Sequence, residues 1–134
     1  MSTRKTGNRE SIKGTWQEEH SYSLAVKITG KTTIYLAGVG AWEDEAGKSL
    51  AGDFDGQTRA VFRQMRDTLK KAGATLDDIV TMTVFVTDMK YRPRFIEIRK
   101  EFFTKGYPAS ALIGIKELAR PPMLVEIQAI AAVD

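Results

Sequence analysis

The sequence contains no cysteine and one histidine among its 134 residues. Without cysteine the chain can form neither a disulfide nor a thiolate metal site. No nucleophile–base pair, metal-ligand spacing or glycine-rich phosphate loop stands out either, so we expect no metal site. The single histidine, His20, has no obvious partner along the sequence, and we expect it to be structural or exposed.

Long apolar runs are also missing. No stretch approaches the length needed to span a bilayer, so we expect no membrane association. The first ten residues, "MSTRKTGNRE", are polar and lack the apolar segment of a secretory signal. Both features predict a cytoplasmic location.

Neither sign of charge dominates, because 20 basic residues face 17 acidic ones and the net charge is +3. The one basic stretch, Lys90 to Lys100, is offset by Glu97. Nucleic-acid binders concentrate basic charge on one face with aromatic side chains nearby. The charge pattern therefore favours a solvated helix face over a nucleic-acid interface.

The length suits one domain with a core large enough to fold without covalent staples. Residues 1–16 are polar and show no hydrophobic periodicity, which predicts a flexible N-terminal arm. Residues 17–134 then form a single domain.

Hydrophobic periodicity within that domain predicts the order β-β-α-β-α-β-β, an α+β fold. The predicted elements are strands at 22–28 and 32–39 joined by a hairpin turn at "TGKT", a helix at 53–73, a strand at 77–88, a helix from 92, and two closing strands, "SALIGIKEL" and "MLVEIQAIA". Helices on one face of the sheet leave the other face open. We therefore expect a homo-oligomer that covers the open faces.

An acid stands in the middle of the last strand. Side chains alternate along a strand, so Glu126 shares a face with Gln128, opposite Val125 and Ile127. That face either meets solvent or lies at a subunit interface. At an interface, Glu126 could hold or deprotonate a water molecule.

A tyrosine and two glycines also allow both a structural and a functional interpretation. Tyr22 opens the first strand, where a tyrosine is more often a core-edge aromatic than a catalytic group. Gly38 and Gly40 follow the second strand and either mark a bend or let a ligand approach the backbone.

The C-terminal stretch "YPASALIGIKELARPPMLVEIQAIA" resembles the signature of the Rid family, which is YjgF-like and also described as endoribonuclease L-PSP-like. "SYSLAV", "IYLAGVGA" and "AGATLDDIVTMTVFVTDM" are similar to upstream family segments. The resemblance spans about residues 22–133 and implies a chorismate-mutase-like subunit assembled as a homotrimer with clefts between neighbours.

The resemblance also implies an activity: hydrolysis of a reactive enamine or imine to a keto acid and ammonia, without a cofactor. Carried over by position, Glu126 orients the attacking water, and Tyr22 and Ser110 line the pocket. Backbone near Gly38 and Leu112 would hold a substrate oxygen.

Ser110 departs from the family, which has a carboxylate-binding arginine at this position. A serine hydroxyl supplies neither the charge nor the planar fork of a guanidinium. We expect either another base, Arg120 or one of Arg92 and Arg94, to take the carboxylate, or a different substrate, such as a 2-aminomuconate-like compound. The alternatives are a non-catalytic metabolite-binding or regulatory trimer and, less favoured, an endoribonuclease or translation inhibitor.

Overall fold

The computed structural model describes residues 3–6, 9–29 and 32–134, with side chains from residue 9 onward. Within the described residues, two α-helices and eight strands follow one another. They are β1 (Thr3–Thr6), β2 (Arg9–Ile12), β3 (Ala25–Ile28), β4 (Thr32–Tyr35), β5 (Val39–Gly40), α1 (Phe54–Lys71), β6 (Ile79–Val86), α2 (Arg92–Lys100), β7 (Ala109–Gly114) and β8 (Val125–Val133).

Helix α1 begins and ends close to where its sequence predicts. The Asp53 carboxylate accepts a hydrogen bond from the Gly56 backbone N–H at 2.9 Å and so caps the first turn. Lys70 and Lys71 lie in the last turn, near the negative end of the helix dipole. Gly73 follows with φ +79°, a left-handed conformation that glycine adopts without strain.

The main sheet has the strand order β4-β8-β6-β7, and β5 also pairs with β8. Strand β8 is antiparallel to both β4 and β6, whereas β7 runs parallel to β6 because α2 forms the crossover between them. Both helices pack on one face of this sheet. The α+β fold predicted from the sequence is therefore confirmed.

Alternation along the central strands separates the two faces of the sheet. In β8, Val125 and Ile127 are fully buried toward the helices, while Glu126 is half-buried and Gln128 is exposed on the other side. In β6, Met82 and Val84 point toward the helices. The face opposite the helices is called the open face below.

The N-terminal segment, predicted to be a flexible arm, contains regular structure in its described residues. Its described residues form β1 and β2, which join β3 in a separate three-stranded antiparallel sheet. The Arg9 guanidinium also donates to the Ile79 carbonyl at 2.7 Å. Strand pairing satisfies the backbone of this polar segment, and such pairing needs no hydrophobic periodicity.

Strands β3 and β4 do not form the hairpin expected from the sequence. β3 pairs with β2 and β4 pairs with β8, in two different sheets. Residues 30–31, at the centre of the predicted "TGKT" turn, lie outside the described residues. In the part of the chain that is described, no helix combines the length and apolar character needed to cross a bilayer.

One buried polar side chain on α1 fastens the loops at the end of the sheet. The Gln57 amide donates to the carbonyls of Leu50 and Pro122 at 2.9 and 2.8 Å and accepts from the Leu124 N–H at 2.8 Å. Gln57 and Leu50 are buried, so removal of the Gln57 amide would leave the Leu50 carbonyl without a partner in the interior.

We expect Gln57→Ala to lower the free energy of unfolding by about 2 to 4 kcal/mol, because it leaves a buried backbone carbonyl unsatisfied and creates a cavity. Urea denaturation followed by circular dichroism measures the change. Gln64→Ala, at an exposed position of the same helix, is the matched control and should stay near the parent. Equal stability of both variants would contradict the role given to Gln57.

Candidate functional site

A cavity of about 350 Å³ lies between α2, the edge strand β7 and the segment that precedes β3. Its walls combine basic, hydroxyl and apolar side chains, and none of the described residues that line it carries a carboxylate. The lining residues are His20, Tyr22, Arg92, Ile96, Arg99, Ser110, Ala111 and Leu112.

Arg99 is the central polar group of this cavity. Its Nη1 donates to the Ser110 hydroxyl at 2.7 Å, its Nε donates to the Ser21 hydroxyl at 3.0 Å, and its Nη2 donates to the His20 carbonyl at 3.2 Å. A longer contact of 3.7 Å joins Nη1 to the Met82 sulfur. The guanidinium thus ties α2 to β7 and to the segment before β3.

All of these partners of Arg99 are neutral. The side chain is only 3 % exposed, and no carboxylate of the described residues lies within ion-pair distance of it. Burial lowers the pKa of Arg99 to about 10, while the phenols of Tyr107 and Tyr22 act in the opposite direction. The group is still charged at neutral pH, so the cavity contains a buried cation without a counter-ion.

Ser21 orients this cation through an uncommon backbone conformation. Its φ is +62°, in the left-handed region where few non-glycine residues lie, and the residue is completely buried. The hydroxyl donates to the Ile96 carbonyl at 3.0 Å and accepts from Arg99. Local strain of this kind is often found at functional sites.

Three of the residues predicted from the sequence, Tyr22, Ser110 and Leu112, line the cavity together. The Tyr22 ring centroid is 6.0 Å from the Arg99 guanidinium carbon. Because the Ser110 hydroxyl accepts the Arg99 N–H, its own proton is available to donate to another acceptor. The cavity can therefore offer an anion a hydroxyl polarised by a cation.

Glu126 and Gly38 lie close to each other, but neither of them lines this cavity. A Cβ atom on Gly38 would lie 2.8 Å from Glu126 Oε2 and 3.0 Å from its carboxyl carbon. Glycine at position 38 therefore leaves the space in which the Glu126 carboxylate sits, on the open face.

The sheet separates these two groups within one copy of the chain. Ser110 pairs with Met82, which points toward the helices, whereas Glu126 pairs with Phe85, which points toward the open face. Paired residues of neighbouring strands project to the same side of a sheet. Glu126 and Ser110 therefore lie on opposite faces.

The other arginines considered from the sequence have different surroundings. Arg92 is exposed and lines the cavity. The Arg94 Nε is 2.8 Å from the Asp55 carboxylate in an ion pair between the two helices. Arg120 stacks on the Trp42 ring with its guanidinium carbon 4.2 Å from the centroid, and it is not among the cavity residues.

Two cavity residues, Arg99 and His20, were missed as site residues in the sequence. Arg99 could have been identified from the sequence, because it follows Phe95 by four positions and therefore lies on the buried stripe of α2. A basic residue on such a stripe requires a polar partner in the interior. His20 lines the cavity and its Nδ1 lies 3.0 Å from the Trp16 carbonyl, a contact that sequence alone does not indicate.

Fold and site together define a small α+β domain with a cation-lined cavity beside an edge strand. The profile of the endoribonuclease L-PSP family matches residues 15–133, and the chain belongs to this family, of the Rid/YjgF type.

Curated proteins similar to this chain support the same assignment. A RutC family protein of Pyrococcus abyssi is 32% identical over 110 residues, which are 82% of this chain and 84% of that protein. A 2-iminobutanoate/2-iminopropanoate deaminase of Dermatophagoides farinae is 26% identical over 113 residues, 84% of this chain and 86% of that protein.

Solved structures agree in fold. A Rid-family protein of unknown function from Yersinia pestis superposes with a TM-score of 0.78 at 24% identity, covering 94% of this chain and 99% of its own. A YjgF-family protein from Mycobacterium tuberculosis gives a TM-score of 0.64 at 33% identity, covering 93% and 99%. The family resemblance and fold class expected from the sequence are confirmed.

We expect Arg99→Met to change the free energy of unfolding at pH 7 by no more than about 1 kcal/mol, because the loss of hydrogen bonds is offset by removal of an uncompensated buried charge. The pKa of Arg99 in the folded chain, about 10, lies below that of an unperturbed arginine. The cost of this charge is therefore complete below pH 10 and diminishes as the pH rises above it.

Chemical denaturation of the parent and Arg99→Met at pH 7 measures this difference. Arg66→Met, at an exposed position of α1, controls for the change in net charge. A loss of several kcal/mol in Arg99→Met would contradict this compensation and show that the guanidinium stabilises the fold.

Proposed function

We propose that this protein is a cofactor-free deaminase that hydrolyses a 2-imino acid, or the enamine in equilibrium with it, to a 2-keto acid and ammonium. The observation that carries the proposal is the buried Arg99 guanidinium behind the Ser110 hydroxyl, in a cavity without any carboxylate of its own. A substrate carboxylate would supply the missing negative charge. The Dermatophagoides relative, a 2-iminobutanoate/2-iminopropanoate deaminase at 26% identity, supports the same reaction class.

The reaction needs little more than orientation and one base. Water adds to the carbon of the protonated C=N bond and forms a tetrahedral aminoalcohol with loss of one proton. The C–N bond then breaks as nitrogen is protonated, and the keto acid and ammonium leave. A carboxylate that accepts the proton of the attacking water and returns it to nitrogen is sufficient. Glu126 is the residue proposed for this role.

Glu126 would have to come from a second copy of the chain, because it and Ser110 lie on opposite faces of one sheet. The proposed assembly is a homotrimer in which the open face of one subunit covers the β7 edge of the next. A ring of such unlike contacts closes with three-fold symmetry. It would also cover Tyr35, a large side chain on the open face that is 76 % exposed in the single chain.

Substrate choice is expected to differ from that of family members with an arginine at position 110. Here the hydroxyl of Ser110 would contact the carboxylate, and the charge of Arg99 would act from behind it. The shorter serine leaves more room in the cavity than an arginine would. The proposed substrates are therefore 2-imino acids with larger substituents than the smallest ones.

The proposal is tested by generating 2-aminoacrylate with a pyridoxal-phosphate-dependent dehydratase and following keto-acid release with and without this protein. The assay is repeated with imines of larger amino acids produced by an amino-acid oxidase, with catalase present. We expect acceleration that is greater for the larger imines. No acceleration of any imine, together with retained binding of 2-keto acids, would support the metabolite-binding alternative.

Within this assay, we expect Glu126→Gln to lower kcat at least 100-fold, since an amide cannot accept the proton of the attacking water. Glu45→Gln, at an exposed loop position, should retain parental turnover. Analytical ultracentrifugation checks that both variants have the assembly state of the parent. Unchanged turnover in an intact Glu126→Gln protein would remove this residue from the mechanism.

Gly38→Ala tests the position of the same carboxylate without changing its chemistry. The added methyl group would lie 2.8 Å from Glu126 Oε2, so the carboxylate must move away. Misplacement of a catalytic group by about 1 Å can lower the rate about 100-fold. We expect a lower kcat with a nearly unchanged KM, because the cavity beside α2 is untouched. Parental kcat in this variant would show that the contact between Gly38 and Glu126 has no catalytic consequence.

A further inference from the structure

Helix α2 brings two arginines to one cavity. Arg92 and Arg99 are seven residues apart, nearly two helical turns, so both lie on the same side of α2 with about 10 Å between their Cα atoms. Arg99 is buried beside Ser110, whereas Arg92 is exposed at the first residue of the helix. The cavity therefore has one cation at its inner end and another toward solvent.

The remaining basic residues of α2 are already paired. Arg94 contacts Asp55 at 2.8 Å, and Lys100 lies 3.5 Å from Glu97. Arg92 and Arg99 have no such ion pair with any described residue, and no acid lines the cavity. The two cations without acidic partners on this helix are thus the two that face the cavity.

The surface between the two arginines is apolar. Ile96 lies between them on the same side of the helix, and Leu112 of β7, on the helix side of the sheet, also lines the cavity. Charged groups of a ligand would meet cations at both ends, and a short hydrocarbon segment would contact these side chains in the middle.

We propose that the ligand of this cavity is a dicarboxylate whose two carboxylates are separated by a short hydrocarbon chain. One carboxylate binds Ser110 and Arg99, and the second binds Arg92. This inference rests on the proposed function for its reactive group, which places the imino or enamine carbon next to the inner carboxylate. Arg92 is then the residue that selects dianionic over monoanionic substrates.

Binding is measured first, by isothermal titration calorimetry with the unreactive pair adipate and hexanoate, which share six carbons and differ in one carboxylate. We expect adipate to bind at least tenfold more tightly at 50 mM salt. Arg92→Ala should remove this advantage and leave hexanoate within twofold of the parent. Arg99→Met should weaken both ligands. Arg66→Ala, which removes an exposed arginine outside the cavity, should change neither.

Turnover forms the second arm, with the imines of glutamate and of norvaline, which have five carbons each and differ in the distal carboxylate. We expect kcat/KM to favour the glutamate imine at least tenfold, and Arg92→Ala to abolish this preference through KM. Equal use of both imines, equal binding of adipate and hexanoate, or an Arg92→Ala variant that keeps the preference would overturn the dicarboxylate proposal while leaving the deaminase proposal intact. Selective adipate binding that depends on Arg92, without hydrolysis of any imine, would instead reject the deaminase and retain the dicarboxylate site.

Discussion

The site depends on a buried guanidinium that has no carboxylate beside it. Arg99 is held by two hydroxyls and a backbone carbonyl, which orient it without neutralising it. An uncompensated buried charge is unfavourable, with an effective cost of several kcal/mol per ion. A fold that retains such a group provides a favourable binding position for an anion. The attraction between the Arg99 guanidinium and an anionic substrate is the basis of the proposed chemistry.

The second constraint is the sheet itself. Alternation along β8 sends Glu126 to the open face, while the crossover through α2 places Ser110 and Arg99 on the helix side of β7. One copy of the chain therefore contains both parts of the proposed site, Ser110 with Arg99 and Glu126, but on opposite faces. Association of copies would join these parts, which links the proposed activity to the assembly state.

Local rules account for the elements that the sequence predicted. The cap at Asp53, the apolar stripe of α1 and the alternation around Glu126 all depend on residues a few positions apart. Pairing between distant segments was not predictable in this way. Residues 9–12 form a strand by pairing with β3, which thereby belongs to a second sheet. This pairing depends on a segment more than ten residues away, so the local pattern of residues 9–12 does not reveal it.

By itself, the sequence determined the α+β class, the order of the main elements and the presence of a serine at position 110, since periodicity and residue identity are local properties. Only the tertiary structure decided that Arg99 is the cation beside Ser110. Arg99 reaches Ser110 because the β6–α2–β7 crossover folds the helix back over the edge strand. That contact follows from packing of α2 on the sheet, and no spacing along the chain specifies it.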